Sequence, residues 1–374
     1  MLSHIQEQLV TAISNMKFIH TSDIHIGMSP DPTMFWSADR ANDIKETFAN
    51  VIAKCNEEDA DLLLISGDLF NHQPLTEELD YINNLFESIP KTQVVVIAGS
   101  YDHIKSNSPI LNYHFADNVY YFLDKTEYSF KVLNKTYIIH GFSYYSLEDQ
   151  APIINSITPD DDKNIHILIA YGGDANHSPF SISKLENKNF SYIALGSMHN
   201  FETLIENKAY YPGSPEPLDS SSTGAHGIII GEINDSTRRV QNIRFEKIAK
   251  VAYVPLNIKI NGSTTEEDIV EIVIRDIIKL GAQNIFKVKI TGLRNPDLEI
   301  TREMFSQKIR ISDIIDNTTP KYDFVKLSSE HPQDMIGAFI RKMTTNNAEL
   351  SDIEKRALYL GTHALIKTSE KNEL

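Results

Sequence analysis

The chain is poor in residues that would staple or anchor it. Its 374 residues include a single cysteine, Cys55, so no intrachain disulfide can form and a zinc finger is excluded. Tryptophan also occurs once. No uninterrupted apolar run approaches the ~20 residues needed to span a bilayer. The segment 2–16 has neither a basic start nor a long apolar stretch and carries Glu7 and Gln8, which argues against a secretory signal. Basic charge is scarce: Lys and Arg total 35 against 51 Asp and Glu, a formal charge of −16. A freestanding DNA binder draws much of its affinity from neutralised phosphates, so this balance argues against strong unaided DNA binding. The expectation is a cytoplasmic protein with no membrane partner.

What is present is a core-forming chain. Hydrophobic residues make up 41% of it, and its length suggests two domains. Residues 2–15 read as a short extra helix, an N-terminal extension over 1–16, with Met16 a candidate natural start. From Lys17 to Ile248, strands alternate with helices. Strands are expected at 17–23, 61–67, 93–99, 136–142, 165–171, 192–196, 227–233 and 240–245. Ala38–Cys55 carries Ile44, Phe48, Val51 and Ile52 on one helical face, and Thr76–Ser88 is a second amphipathic helix. The early β-α-β-α-β order implies parallel strands with right-handed crossovers, and the later strands imply a second sheet packed on the first.

Composition shifts near residue 250. Strands at 251–260 and 284–291 and helices at 265–280 and 300–309 suggest a compact α+β cap over 251–330. Helical patterns at 332–342 and 350–366 follow in a tail, 331–374, whose last residues from Lys367 are polar and expected to fray. Leu350, Ile353, Ala357, Leu360 and Ala364 recur at helical spacing. This stripe reads either as packing on the cap or as a docking face for a partner.

Four strands end in polar signals: Asp23-Ile24-His25, Gly67-Asp68, Gly99-Ser100-Tyr101-Asp102 and Gly196-Ser197-Met198-His199. Ligand sites of open α/β sheets lie beyond the carboxyl ends of the strands. Residues scattered in sequence can therefore converge there. Each signal alone is weak, but four in fixed order are hard to obtain by accident.

That order resembles the calcineurin-like metallophosphoesterases. The similarity to the SbcD nuclease subunit is closer still, through KFIHTSDIHIG at 17–27, DLLLISGDLF at 61–70, YIALGSMH at 192–199, YPGSPEPLD at 211–219 and DMIGAFIRKM at 334–343. The resemblance implies a four-layer α/β/β/α sandwich with a smaller C-terminal α+β cap. It implies two adjacent divalent ions that hold phosphate oxygens and acidify an attacking water. Carried over by position, the first ion takes Asp23, His25, bridging Asp68 and His199. Asp68 and Asp23 are the residues on which catalysis would depend. Two carboxylates and two imidazoles suit Mn²⁺ first, with Fe²⁺ or Zn²⁺ as alternatives.

The second ion is depleted. Its expected ligand positions hold Ser100, Tyr171 and Ser197, and the position of the family's acid holds Tyr101, a phenol that is a weak acid at neutral pH. Asn71 stands where a histidine often follows, with His72 beside it. Asp102, His103, Asp174 and His177 lie close in sequence to the vacated positions and could rebuild a site of different shape. One ion is expected rather than two. The resemblance also implies an SMC-like ATPase partner engaged by the tail, a homodimer through the phosphoesterase domain, and DNA as ligand. Three functions stay open: a metal-dependent DNA exonuclease, a non-catalytic subunit that binds nucleic acid or the ATPase, and a phosphatase or phosphodiesterase for a non-DNA substrate. Tyr144-Tyr145 and Tyr210-Tyr211 read as base-stacking or core residues, and His140, His166 and His226 as structural ones.

Overall fold

The computed structural model describes residues 15–123, 129–132, 137–159, 161, 163–344 and 350–372. The helix expected at 2–15 and the start of the chain lie outside these residues, apart from Asn15. Two compact units divide between Ala252 and Tyr253.

In the first unit, β1 (Asn15–Thr21), β2 (Leu62–Ser66), β3 (Gln93–Ile97) and β4 (Val119–Tyr121) run parallel. β11 (Gly227–Asn234) and β12 (Arg239–Lys247) extend this sheet antiparallel beyond β1. A second six-stranded sheet has the order β5-β6-β7-β8-β10-β9. Its members are β5 (Ser129–Val132), β6 (Tyr137–Gly141), β7 (Ile165–Tyr171), β8 (Tyr192–Gly196), β9 (Glu202–Ile205) and β10 (Ala209–Tyr211). β6, β7, β8 and β10 are mutually parallel.

The central strands β2, β6, β7 and β8 are buried on both faces, so they read as continuous apolar runs. Alternate residues serve different layers. Phe18, Leu62, Leu64, Val95 and Ile97 share one cluster with Ile139, Ile167, Ile169 and Tyr192 of the second sheet. Ile19, Leu63, Ile65, Val94 and Val96 instead pack with Ile44, Phe48, Val51 and Ile52 of α1 (Ser37–Glu57) and with Leu79, Ile82 and Phe86 of α2 (Thr76–Glu87). The helices around the second sheet are short: α3 (Ile153–Ser156) and α4 (Ile182–Glu186) bring Ile154 and Leu185 into the first cluster. The class is the expected α/β sandwich, with its helical weight on the first sheet.

The second unit is α+β. β13 (Tyr253–Ile260), β14 (Ile285–Arg294) and β15 (Ile311–Pro320) form a parallel sheet. It packs α5 (Glu266–Leu280) through Ile269, Val273 and Ile277. Thr265 caps α5 reciprocally with Asp268, and Gly281 at φ +100° ends it. The helix expected at 300–309 is absent: Arg302–Met304 makes one 3-10 turn. Ile300, Met304 and Ile309 still pack on the unit's core, so their spacing reflects burial without helix.

Three helices follow: α6 (Phe324–Glu330), α7 (Met335–Thr344) and α8 (Asp352–Asn372). α8 runs past Lys367, where the polar sequence predicts fraying. Its buried contacts come from Leu358, with Leu350, Leu365 and Ile366 packed alongside Ile336 and Ile340. The expected stripe is split: Leu350 packs, whereas Ile353 is 82% and Leu360 43% exposed. No helix among the described residues is long and apolar enough to cross a membrane.

Candidate metal centre

β1 and β2 end side by side and their loops zip together. The Asp23 amide donates to Gly67 O at 3.0 Å, the His25 amide to Asp68 O at 3.0 Å and the Ile26 amide to Leu69 O at 2.9 Å. Asp23, His25 and Asp68 all adopt positive φ (52°, 55° and 49°), and Ser197 at the end of β8 has φ 102°. Such non-glycine conformations cost on the order of 1–3 kcal/mol each and persist where the surrounding structure dictates them. Four of the ten positive-φ non-glycine residues described are thus strand-end residues singled out from sequence.

The three side chains Asp23, His25 and His199 form a group able to hold a metal ion, with one ligand atom from each lying within 4.8 Å of the others. Asp23 is fully buried and accepts from Ser22 Oγ at 2.6 Å and from the Ser197 amide at 3.1 Å. Burial, then the nearby Asp68, pushes the Asp23 carboxyl well above the usual carboxylate range. Burial, then His199, lowers His25 to about 3. His199 is lowered as well, chiefly by burial. Both imidazoles are thus held neutral, the form in which a histidine ligates.

His25 shows how the group is tuned. Its Nδ1 donates to Asn71 Oδ1 at 3.1 Å, which leaves Nε2 with the lone pair. That Nε2 is buried and has no hydrogen-bond partner. It lies 3.8 Å from Asp68 Oδ2. A buried nitrogen lone pair, a neighbouring imidazole and two buried carboxylates, with no Lys or Arg paired to them among the described residues, fit a divalent cation. Asn71 is the partner that sequence reasoning undervalues: it stands where a histidine often follows, and it fixes the tautomer of His25.

Asp68 is adjacent to this group and already engaged. Its Oδ2 accepts from Tyr171 Oη at 2.6 Å and Ser100 Oγ at 3.3 Å, and its Oδ1 accepts from the Tyr101 amide at 2.8 Å. Ser100 Oγ and Tyr171 Oη also lie 2.9 Å apart. Burial raises Asp68 to about 6, and these three hydrogen bonds oppose the rise. Gly67 at φ +98° leaves room for the phenol, since a Cβ there would stand 2.3 Å from Tyr171 Cδ2. Burial and the facing Asp68 raise Tyr171 well above the ordinary phenol value, so it remains a donor.

The other candidates separate cleanly. Asp102 accepts the amides of Gly99 at 2.7 Å and Phe70 at 3.2 Å, and so ties two strand-end loops together. Burial, then Asp68, pushes it up to about 8. His103 Nδ1 donates to Ser100 O at 2.7 Å. His72 stands 3.6 Å from Glu78. Tyr101 is 49% exposed and meets His25 edge-on at 5.0 Å. Tyr144, Tyr210 and Tyr211 are core residues rather than stacking platforms. His140 and His166 are buried and share a 2.8 Å hydrogen bond, and His226 Nδ1 lies 2.9 Å from Ser214 O in its own loop.

A family model for the calcineurin-like phosphoesterase domain matches residues 16–207. The chain belongs to that family. The chain is also 25% identical over 238 residues to the DNA double-strand break repair protein Mre11 of Methanopyrus kandleri, covering 56% of this chain and 52% of the relative. It thus spans about half the length of that curated relative. Among solved structures, TT1561 of Thermus thermophilus aligns with a TM-score of 0.36 at 10% identity, over 62% of the present chain and 99% of that chain. The calcineurin-like phosphoesterase YfkN from Bacillus subtilis aligns with a TM-score of 0.37 at 13% identity, over 63% and 91%.

Proposed function

We propose that the chain is a divalent-metal phosphodiesterase acting on DNA, as an SbcD-like exonuclease, with one ion rather than two. The observation that carries this reading is the convergence of Asp23, His25 and His199 around the unpartnered, buried Nε2 of His25. Asp68 completes the set at its edge. Mn²⁺ suits this mixture of carboxylate and imidazole, with Fe²⁺ or Zn²⁺ as alternatives. A bound cation would supply Lewis acidity toward a phosphoryl oxygen and acidify a water. Asp23 and Asp68 would offset its charge, His25 and His199 would fix its position, and Asn71 would hold His25 in the ligating tautomer. DNA as substrate, an SMC-like ATPase partner and a homodimer rest on the similarity to the SbcD and Mre11 proteins.

The test is metal content and turnover together. Protein purified without chelator and loaded with Mn²⁺ is expected to bind about one ion per chain and to cleave a DNA diester. Asp23→Ala and His25→Ala are expected to lose both. A loaded wild type that cleaves no diester, with or without an ATPase partner, overturns the reading.

A second reading is favoured by one specific observation. Tyr171, Ser100 and the Tyr101 amide already satisfy Asp68, as in a non-catalytic relative that keeps the fold for binding nucleic acid or the ATPase. Robust wild-type turnover eliminates it. Selective turnover of aryl phosphates or cyclic nucleotides over DNA would instead point to a non-DNA substrate, which the formal charge of −16 suits.

A further inference from the structure

The loop after β7 is built around one imidazole. The Gly172 amide donates to Gly196 O at 3.0 Å, and Gly172 O accepts from Tyr211 Oη at 2.6 Å. The Gly173 amide then closes the loop on His177 O at 2.6 Å. Gly172 has φ +128°, and a Cβ there would stand 2.3 Å from His177 O, so the turn admits only glycine. Asp174 accepts the amides of Asn176 at 2.8 Å and His177 at 3.0 Å. The same carboxylate takes the side chain, with His177 Nδ1 2.8 Å from Asp174 Oδ2. A bridge between Asp149 and His177 fixes the other edge of the loop.

This scaffold sets the ring beside Tyr171. The His177 ring stacks on Tyr144 at 6.4 Å and meets Tyr171 edge-on at 6.1 Å, and Tyr171 Oη is the group bonded to Asp68. The side chain is 23% exposed, so solvent reaches it. With Nδ1–H held by a carboxylate, Nε2 is the nitrogen left to exchange a proton. Among the described residues it has no hydrogen-bond partner. A histidine whose far nitrogen is oriented by a carboxylate is the arrangement general acid–base catalysis uses. Tyr101, at the position where an acid was expected, is a phenol.

We propose that His177, oriented by Asp174, donates the proton to the leaving oxygen of a phosphodiester bound at the Asp23–His25–His199 centre. The proposal rests on the phosphodiesterase reading above. In the step, a water oxygen forms a bond to phosphorus and the bond from phosphorus to the leaving oxygen breaks. The electron pair stays on the leaving oxygen, which takes the Nε2 proton of the imidazolium. The proton released by the attacking water returns to His177 through solvent, so no further reactant is needed. Asp174 is a positioning residue.

Leaving-group dependence separates this role from a structural one. Mn²⁺-loaded full-length chains are assayed on a dithymidine phosphodiester, whose alkoxide must be protonated, and on bis(4-nitrophenyl) phosphate, whose phenolate leaves without a proton. His177→Gln is expected to lower kcat on the dinucleotide by ~10²–10⁴-fold and on the nitrophenyl ester by no more than a few fold. Asp174→Asn is expected to show the same selectivity with a smaller loss. Should His177→Gln fail to fold, His177→Asn keeps a donor for Asp174 and is read in the same way. Equal losses on both substrates, or no loss on either, overturn the assignment of His177 while leaving the phosphodiesterase reading intact. A wild type that cleaves neither substrate overturns that reading and this proposal with it.

Discussion

Tyr171 Oη donates a 2.6 Å hydrogen bond to Asp68 Oδ2, and that single contact sets the character of the centre. The phenol supplies a donor where the family's pattern would place a cation ligand, so Asp68 is satisfied by protein. Tyr171→Phe leaves a buried carboxylate oxygen short of its strongest donor. The expected cost is about 1–3 kcal/mol in the metal-free protein, read from urea unfolding. Added Mn²⁺ is expected to recover part of it, because a cation beside Asp68 replaces the lost partner. Equal unfolding midpoints for wild type and variant would contradict this account.

The same contact predicts how a second ion could be recovered. Ser100→Asn, Tyr171→His and Ser197→His together replace two hydroxyls and a phenol with one amide and two imidazoles. Elemental analysis of the triple variant is expected to rise from about one ion per chain to about two. Tyr171→His alone is expected to fall short of that, since the other positions still lack ligands. An unchanged content in the triple variant would show that backbone placement, not residue type, limits the site.

Asn71 gives a milder test of the first ion. Its Oδ1 accepts from His25 Nδ1 at 3.1 Å and so keeps Nε2 as the ligating atom. Asn71→Ala should weaken Mn²⁺ binding by ~10–100-fold, measured by calorimetry, without changing the stoichiometry. A loss of the same size as in His25→Ala would make Asn71 a ligand rather than an orienting residue.

Much of the fold was legible because the buried strands are uninterrupted. Val94, Val95, Val96 and Ile97 are buried on both faces, as are Ile167, Leu168 and Ile169, so composition alone marks them. β15 was not legible, because its ISDIIDNTTP sequence is half polar and only Ile311, Thr318 and Pro320 are buried. The 300–309 segment misled for the opposite reason: apolar residues at helical spacing can reach a core from an irregular path. At the site, strand-end position singled out Asp23, His25, Asp68 and His199, of which Asp23, His25 and His199 come together as a group able to hold a metal ion. It could not show that Tyr171 would reach Asp68 or that Asn71 would turn toward His25. Those are side-chain contacts across 103 and 46 residues of sequence, and no local pattern encodes them.

His20 makes stability depend on pH. It is fully buried on β1, with Nδ1 2.9 Å from Tyr192 Oη and Nε2 2.8 Å from Ser66 Oγ. Burial lowers it from 6.5 to about 3. The folded state therefore keeps it neutral while the unfolded chain protonates near the ordinary value. Its contribution is fully present above pH 6.5 and is lost as pH falls toward 3. At about pH 5 the loss amounts to about 2 kcal/mol. His20→Asn lacks this titration, so the stability gap between wild type and variant should narrow by that amount from about pH 7.5 to about pH 5 in urea unfolding. A gap that widens on acidification would mean that His20 is charged in the fold.

The turn at 211–217 is held by a buried ion pair rather than by chemistry at the site. Arg40 Nη1 on α1 donates to Glu216 Oε1 at 2.7 Å, and both side chains are nearly inaccessible. Arg40 also reaches Asp43 at 3.0 Å and Pro217 O at 2.7 Å. Glu216 in turn accepts from Thr47 Oγ1 at 2.8 Å and from the amides of Lys250 and Val251 at 2.9 and 3.1 Å. The carboxylate thus joins α1, this turn and the end of the first unit. Arg40→Met leaves Glu216 buried without a cation and is expected to cost about 3–5 kcal/mol, whereas Glu216→Gln leaves Arg40 its pair with Asp43 and is expected to cost less. The double variant should cost less than the sum of the two, because the stranded charge is gone. Additive losses in urea unfolding would show that the two side chains stabilise the fold through separate partners, with their mutual contact contributing little.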